Sequence, residues 1–218
     1  MGAINEVDDA EGIVFDVLKN GGAVEGQTEI MLSDTSGISA SIFYDDPTDK
    51  ENSPCTIIYR LEDASKETKL SKTTKFNSVP EYDRCETIVI DNGITVIGWD
   101  AFNNMGASSD STYLTVVYPE TLTRIEGYAF HNSKKLESMF MKGTAYEKGL
   151  VDLSHLTGVD GYMFKSSAIT KLHLPATGLA DGVSDFFIGA TGIKAVWCGD
   201  GTEQDGVIDL SNLNTESQ

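Results

Sequence analysis

Cys85-Glu86-Thr87-Ile88-Val89-Ile90-Asp91-Asn92-Gly93-Ile94-Thr95-Val96-Ile97-Gly98-Trp99-Asp100-Ala101-Phe102 is the stretch on which the fold turns. Ile88-Val89-Ile90 alternates inward and outward positions as a short strand does. The Asn-Gly and Ile-Gly steps that follow turn the chain. The second half recurs as Leu122-Thr123-Arg124-Ile125-Glu126-Gly127-Tyr128-Ala129-Phe130 and as Leu156-Thr157-Gly158-Val159-Asp160-Gly161-Tyr162-Met163-Phe164. The first half recurs as Ile169-Thr170-Lys171-Leu172-His173-Leu174-Pro175. Self-similarity of this kind marks stacked repeats.

Units begin at Cys85, Tyr113, Leu136, Ile169 and Ile193, with spacings of 28, 23, 33 and 24. The extra residues fall in polar turns, around Ala107–Ser111 and after Met141. A second register agrees. Leu136–Met141 matches Ile193–Cys198, and Leu150–Leu156 matches Val207–Leu213, both at an offset of 57. Val151-Asp152-Leu153 and Ile208-Asp209-Leu210 are therefore read as rungs of their own. One unit cannot bury its apolar side alone, so the units must stack. Stacking pairs the short strands in parallel, roughly 4.8 Å apart. Phe102, Phe130, Phe164 and Phe187 are expected to fill the interior on the return side, at roughly 2 kcal/mol for each buried ring.

Ile88-Val89-Ile90 with Ile97–Phe102, Leu172-His173-Leu174-Pro175 and Ile125–Phe130 resemble the BspA-type leucine-rich repeat of bacterial surface proteins. The resemblance covers residues 85–218. It implies an α/β-type, right-handed, curved solenoid dominated by short parallel strands. It also implies a non-catalytic role in cell-surface adhesion or ligand binding, in a secreted or surface setting. It transfers no catalytic residue.

Residues 85–218 are thus expected to form five to seven rungs. Residues 1–84 do not match the repeat and are read as an N-terminal β-rich cap or small domain. Within them, Ile38–Tyr44 and Thr56–Leu61 read as two strands joined by the polar loop 45–54. Gly12–Leu18 fits a helix face or a strand before an Asn-Gly turn, with the β reading preferred. Glu62–Pro80 is rich in Lys, Ser and Thr and reads as a linker or an irregular packing layer. Val207–Leu213 begins a unit that ends without a visible cap, as in a fragment or a rung covered by a partner.

The 218 residues carry 34 acidic and 16 basic side chains, a net charge of −18. Residues 1–84 and 85–218 each hold 17 acidic and 8 basic residues, so neither is a basic docking module. Phosphate binding rests on Lys and Arg, which argues against nucleic acid. No apolar run approaches the roughly 18 residues of a membrane helix. Residues 1–6 lack the basic-then-apolar pattern of a signal peptide.

No cofactor or metal is expected. His131, His155 and His173 lack ligand spacing. There is no phosphate-binding Gly-rich loop and no nucleophile elbow, so no catalytic residue is assigned. The acidic loops 45–51 and 200–206 fit solvated turns better than calcium loops, since neither follows the EF-hand template. Cys55, Cys85 and Cys198 allow at most one bridge, and Cys198 is expected to face inward with Val196.

The contact residues come from strand geometry. Positions between the two inward side chains point out of the sheet. They are Val89, Val117, Phe140, His173 and Trp197. In register they form an apolar and aromatic stripe on the sheet face, with Asp152 interrupting it between Phe140 and His173. Contiguous apolar surface marks a contact site, so Val117, Phe140, His173 and Trp197 are the expected ligand or partner contacts, unless residues 1–84 cover them. The function expected is non-enzymatic recognition of a protein or glycan. The alternative is a self-associating structural subunit, as in a virion or fibre.

Overall fold

The computed structural model describes residues 28–31, 37–63, 65, 68–71, 84–105, 114–164, 167–176 and 192–199. The fold is a parallel β-solenoid of about four turns, and the described residues contain no α-helix. Among the described residues there are thirteen strands: β1 (Thr28–Met31), β2 (Ile38–Tyr44), β3 (Cys55–Leu61), β4 (Lys69–Leu70), β5 (Cys85–Ile90), β6 (Val96–Ile97), β7 (Leu114–Tyr118), β8 (Arg124–Ile125), β9 (Leu136–Met141), β10 (Leu150–Asp152), β11 (Gly158–Val159), β12 (Lys171–Leu174) and β13 (Ala195–Cys198). They build a nine-stranded sheet, β1-β2-β3-β5-β7-β9-β10-β12-β13, and a four-stranded sheet, β11-β8-β6-β4.

β2 and β3 form the expected hairpin, with Ile38 opposite Leu61 and Tyr44 opposite Cys55. Their long loop is closed by its own bonds. Asp45 N–H donates to Pro54 O at 3.1 Å, and Asp46 N–H donates to Ser53 Oγ at 2.7 Å. From β3 onward every pairing is parallel. The ladder therefore runs unbroken across position 84, since β3 pairs with β5. β4 lies inside the segment read as linker, and Lys69 and Leu70 pair with Val96 and Ile97. β3 and β4 thus repeat the two-strand arrangement of the later turns.

The core is a set of columns. Ile42, Ile57, Ile88, Val116, Met139, Val151, Leu172 and Val196 are register partners in succession, and all are 0% exposed. Leu70, Ile97, Ile125 and Val159 form the facing column on the second sheet. Phe102 stacks on Phe130 at 5.2 Å and Phe130 on Phe164 at 6.0 Å, all inside the same interior. Phe187 lies outside the described residues. Backbone N–H groups of Thr95, Thr123 and Thr157 each donate to the preceding member of a threonine column that starts at Thr68. That column satisfies the polar backbone where the chain enters the second sheet.

The insertion after Met141 turns the chain straight back. β10 then lies beside β9 as a separate rung, with Val151 opposite Met139. On the second sheet β11 pairs directly with β8. Gly98 is required by close approach: a Cβ there would sit 2.5 Å from Leu70 O. Gly149 is required by its φ of +81° and by Thr170 Oγ1, which a Cβ at this position would strike. Val207–Leu213 and Gly12–Leu18 fall outside the described residues.

Candidate functional site

The sheet-face column assembles in register. Ile58 is opposite Val89, Val89 opposite Val117, and Val117 opposite Phe140. Asp152 is opposite His173, and His173 opposite Trp197. The column divides into two chemically distinct ends. Ile58, Val89, Val117 and Phe140 are at most 5% exposed and form a second apolar cluster with Phe43. Tyr146, from the insertion after Met141, packs on that cluster, edge-on to Phe140 at 5.6 Å. Val117 and Phe140 are therefore buried, while His173 and Trp197 are half-buried.

His173 is held on both sides. Its Nδ1 lies 3.0 Å from Asp152 Oδ1, and its Nε2 lies 2.6 Å from Gly199 O. The Trp197 indole stacks on its ring at 5.1 Å. Asp152 Oδ1 also accepts from Ser154 N–H at 3.0 Å, and the Tyr118 hydroxyl donates to Asp152 O at 2.7 Å. Burial first, and then the charge of Asp152, push the Tyr118 phenol well above its usual range. A general base needs a ring nitrogen open to substrate. Both nitrogens of His173 are engaged, so this pair acts as a tie across β10, β12 and the turn after β13.

A second aromatic surface follows the short strands of the four-stranded sheet. Trp99 lies edge-on to Tyr128 at 5.8 Å, and Tyr128 stacks on Tyr162 at 5.1 Å and 8°. His131 meets Tyr128 edge-on at 5.4 Å. Trp99 is 53% exposed, and both tyrosines are half-buried. Asp100, Tyr128 and Tyr162 occupy equivalent turn positions with φ of 59°, 60° and 61°. That left-handed conformation is uncommon for bulky L-residues. Ion pairs bridge the turns beside this row: Lys69 Nζ to Glu126 Oε1 at 2.7 Å and Arg124 to Asp160 at 2.6 Å. Glu126 Oε2 also accepts the backbone N–H of Trp99 at 2.9 Å. Burial pushes the Glu126 carboxyl up. The bonds from Lys69 and Trp99, with the charges of Lys69 and Arg124, more than reverse that shift and hold it below its ordinary value.

Sequence reasoning did not assign this row to a site. Its signal was the recurrence of Gly-Tyr-x-Phe at Gly127–Phe130 and Gly161–Phe164. In the acidic loop, Thr48 donates to Asp46 Oδ1 and Asn52 Nδ2 donates to Asp49. The Thr48 bonds hold the Asp46 carboxyl below its ordinary value. Loop 200–206 lies outside the described residues. Among the described residues no group of three or more His, Cys, Asp or Glu is placed to hold a metal ion. No helix among them is long and apolar enough to cross a membrane. No family model, curated protein or solved structure matches the chain.

Proposed function

We propose that the chain is a non-enzymatic recognition or adhesion protein that binds a protein or glycan through aromatic surface on a solenoid. The reading includes a right-handed, leucine-rich-repeat solenoid of the BspA type in a secreted or cell-surface setting. The observation that carries it is Trp99, 53% exposed at the head of the Tyr128–Tyr162 stack. An indole left half in water on a rigid turn is the kind of residue that dominates binding interfaces. The rungs beneath it fix its position without a ligand, so little ordering is needed on contact. His173 and Trp197 form a second contact surface on the sheet face, continuing the column of Val117 and Phe140 past its buried end. Ligands rich in phosphate are disfavoured by the net charge of −18.

The test is an array of immobilised glycans and extracellular proteins probed with the chain. At least one ligand is expected. Trp99→Ala weakens its binding about tenfold or more, while loss of the Tyr128 contact lowers the melting temperature by only about 4 °C or less. An array without a ligand, or equal binding by Trp99→Ala and Trp197→Ala, overturns the reading.

A further inference from the structure

Cys55 opens β3 and Cys85 opens β5, and the two are direct Cα partners across a parallel strand pair. Neighbouring strands lie about 4.8 Å apart, inside the Cα separation of roughly 4.4–6.8 Å that a disulfide spans. Both side chains turn into the same apolar interior, 1% and 4% exposed. The pairing shifts immediately after Cys55, so that Thr56 faces Thr87 and Glu86 is passed over. The cysteines thus sit at an irregular strand start, where the Cβ atoms are not fixed at the full interstrand distance. The flanking chain is held in place: Arg84 donates to Lys50 O at 2.8 Å, tying the start of β5 to the loop before β3. Both cysteines are thiols in the structure, and Cys85 Sγ–H donates to Thr87 O at 3.1 Å. Cys198 is remote from both, on β13 at the far side of the sheet.

We propose that Cys55 and Cys85 form a disulfide when the chain folds in the presence of a small-molecule disulfide oxidant, with Cys198 left as the single thiol. One protein thiolate attacks the oxidant, forming a mixed disulfide and releasing one small thiolate. The other protein thiolate attacks the protein sulfur of that mixed disulfide and releases the second. Two S–H bonds are lost from the protein and one S–S bond forms. The oxidant is reduced to two thiols, which take up the two protons. The bond closes a loop of about 30 residues and staples the antiparallel hairpin to the first parallel neighbour, restricting the unfolded chain.

Burial, reinforced by the neighbouring Cys55, pushes the Cys85 thiol well above its usual range. Exchange requires the thiolate and an open path. The bridge therefore forms during folding, and the folded dithiol reacts slowly. This inference does not depend on the recognition reading.

The test is to unfold the full chain in reductant, refold it in oxidised and reduced glutathione, and count thiols in denaturant. One thiol per chain is expected, with a mass about 2 Da lower and a peptide linking Cys55 to Cys85. The melting temperature rises by roughly 7–15 °C on oxidation. The Cys198→Ser variant retains the bridge and shows no thiol, whereas Cys85→Ser shows two thiols and no rise. Three thiols after refolding, a bridge to Cys198, or addition of glutathione without an internal bridge overturns the proposal.

Discussion

Replacing Tyr128 separates backbone strain from side-chain packing. Its φ of 60° places an aromatic residue in the left-handed region. Relative to glycine, that conformation costs an L-residue about 1–2 kcal/mol. The side chain offsets this through Tyr162 at 5.1 Å, His131 at 5.4 Å and Trp99 at 5.8 Å. Aromatic pairs are each worth about 0.5–1.5 kcal/mol. Tyr128→Ala loses those contacts and retains the strain, so it destabilises by about 2 kcal/mol. Tyr128→Gly loses the same contacts and relieves the strain. Its more flexible unfolded chain returns about 0.4–1 kcal/mol of that relief. The glycine variant is therefore expected to be more stable than the alanine variant by about 0.5–1 kcal/mol, the reverse of the order inside a strand or helix. Urea unfolding followed by far-UV circular dichroism measures both midpoints. An alanine variant as stable as the glycine variant, or more so, refutes the reasoning.

Phe130→Ala empties the middle of the Phe102–Phe130–Phe164 stack and destabilises by about 3–5 kcal/mol, lowering the melting temperature by about 10 °C; a change under about 2 °C contradicts the shared interior. Tyr118→Phe removes the bond to Asp152 O at a cost of about 1 kcal/mol and leaves the native tyrosinate absorbance unchanged up to about pH 12, because the buried phenol does not ionise there. The folded Tyr118 value lies above the unfolded value near 10, so its contribution is complete below about pH 10 and is lost as pH rises, which thermal melts of the parent and the variant compare. Glu126 runs the other way: its folded value is depressed, so its contribution is present above about pH 4.3 and falls as acid protonates it. The melting temperature of Glu126→Gln therefore drops less than the parent's between about pH 5 and pH 3.

The parallel stack was legible because period-two alternation and recurrence agree at Ile88, Val116, Met139, Leu172 and Val196. The separate rung at Leu150–Asp152 was legible for the same reason, since its pattern is intact in two copies. β4 was not. Two residues, Lys69 and Leu70, carry no period, and they become a strand only because Val96 and Ile97 pair with them. The left-handed turns were also hidden, since Tyr128 and Tyr162 bear none of the usual Gly or Asn signals. Tyr146, which packs against the cluster holding Val117 and Phe140, comes from an insertion outside the repeat. Repeat arithmetic places such an insertion in a turn and is silent on where its side chains land.

The change of character along the sheet-face column follows from one residue. Ile58, Val89, Val117 and Phe140 can all be buried because nothing in that run needs water. At the next rung the column carries Asp152. A carboxylate sealed under apolar cover incurs a desolvation cost that only good partners offset. Asp152 has the His173 ring and the Ser154 N–H, yet 19% of its side chain stays exposed. The column is accordingly buried up to Phe140 and partly exposed from Asp152 to Trp197. There the face carries an imidazole clamped between a carboxylate and a carbonyl, with an indole stacked on it. Both imidazole nitrogens are already engaged, so this part of the face offers aromatic ring surface.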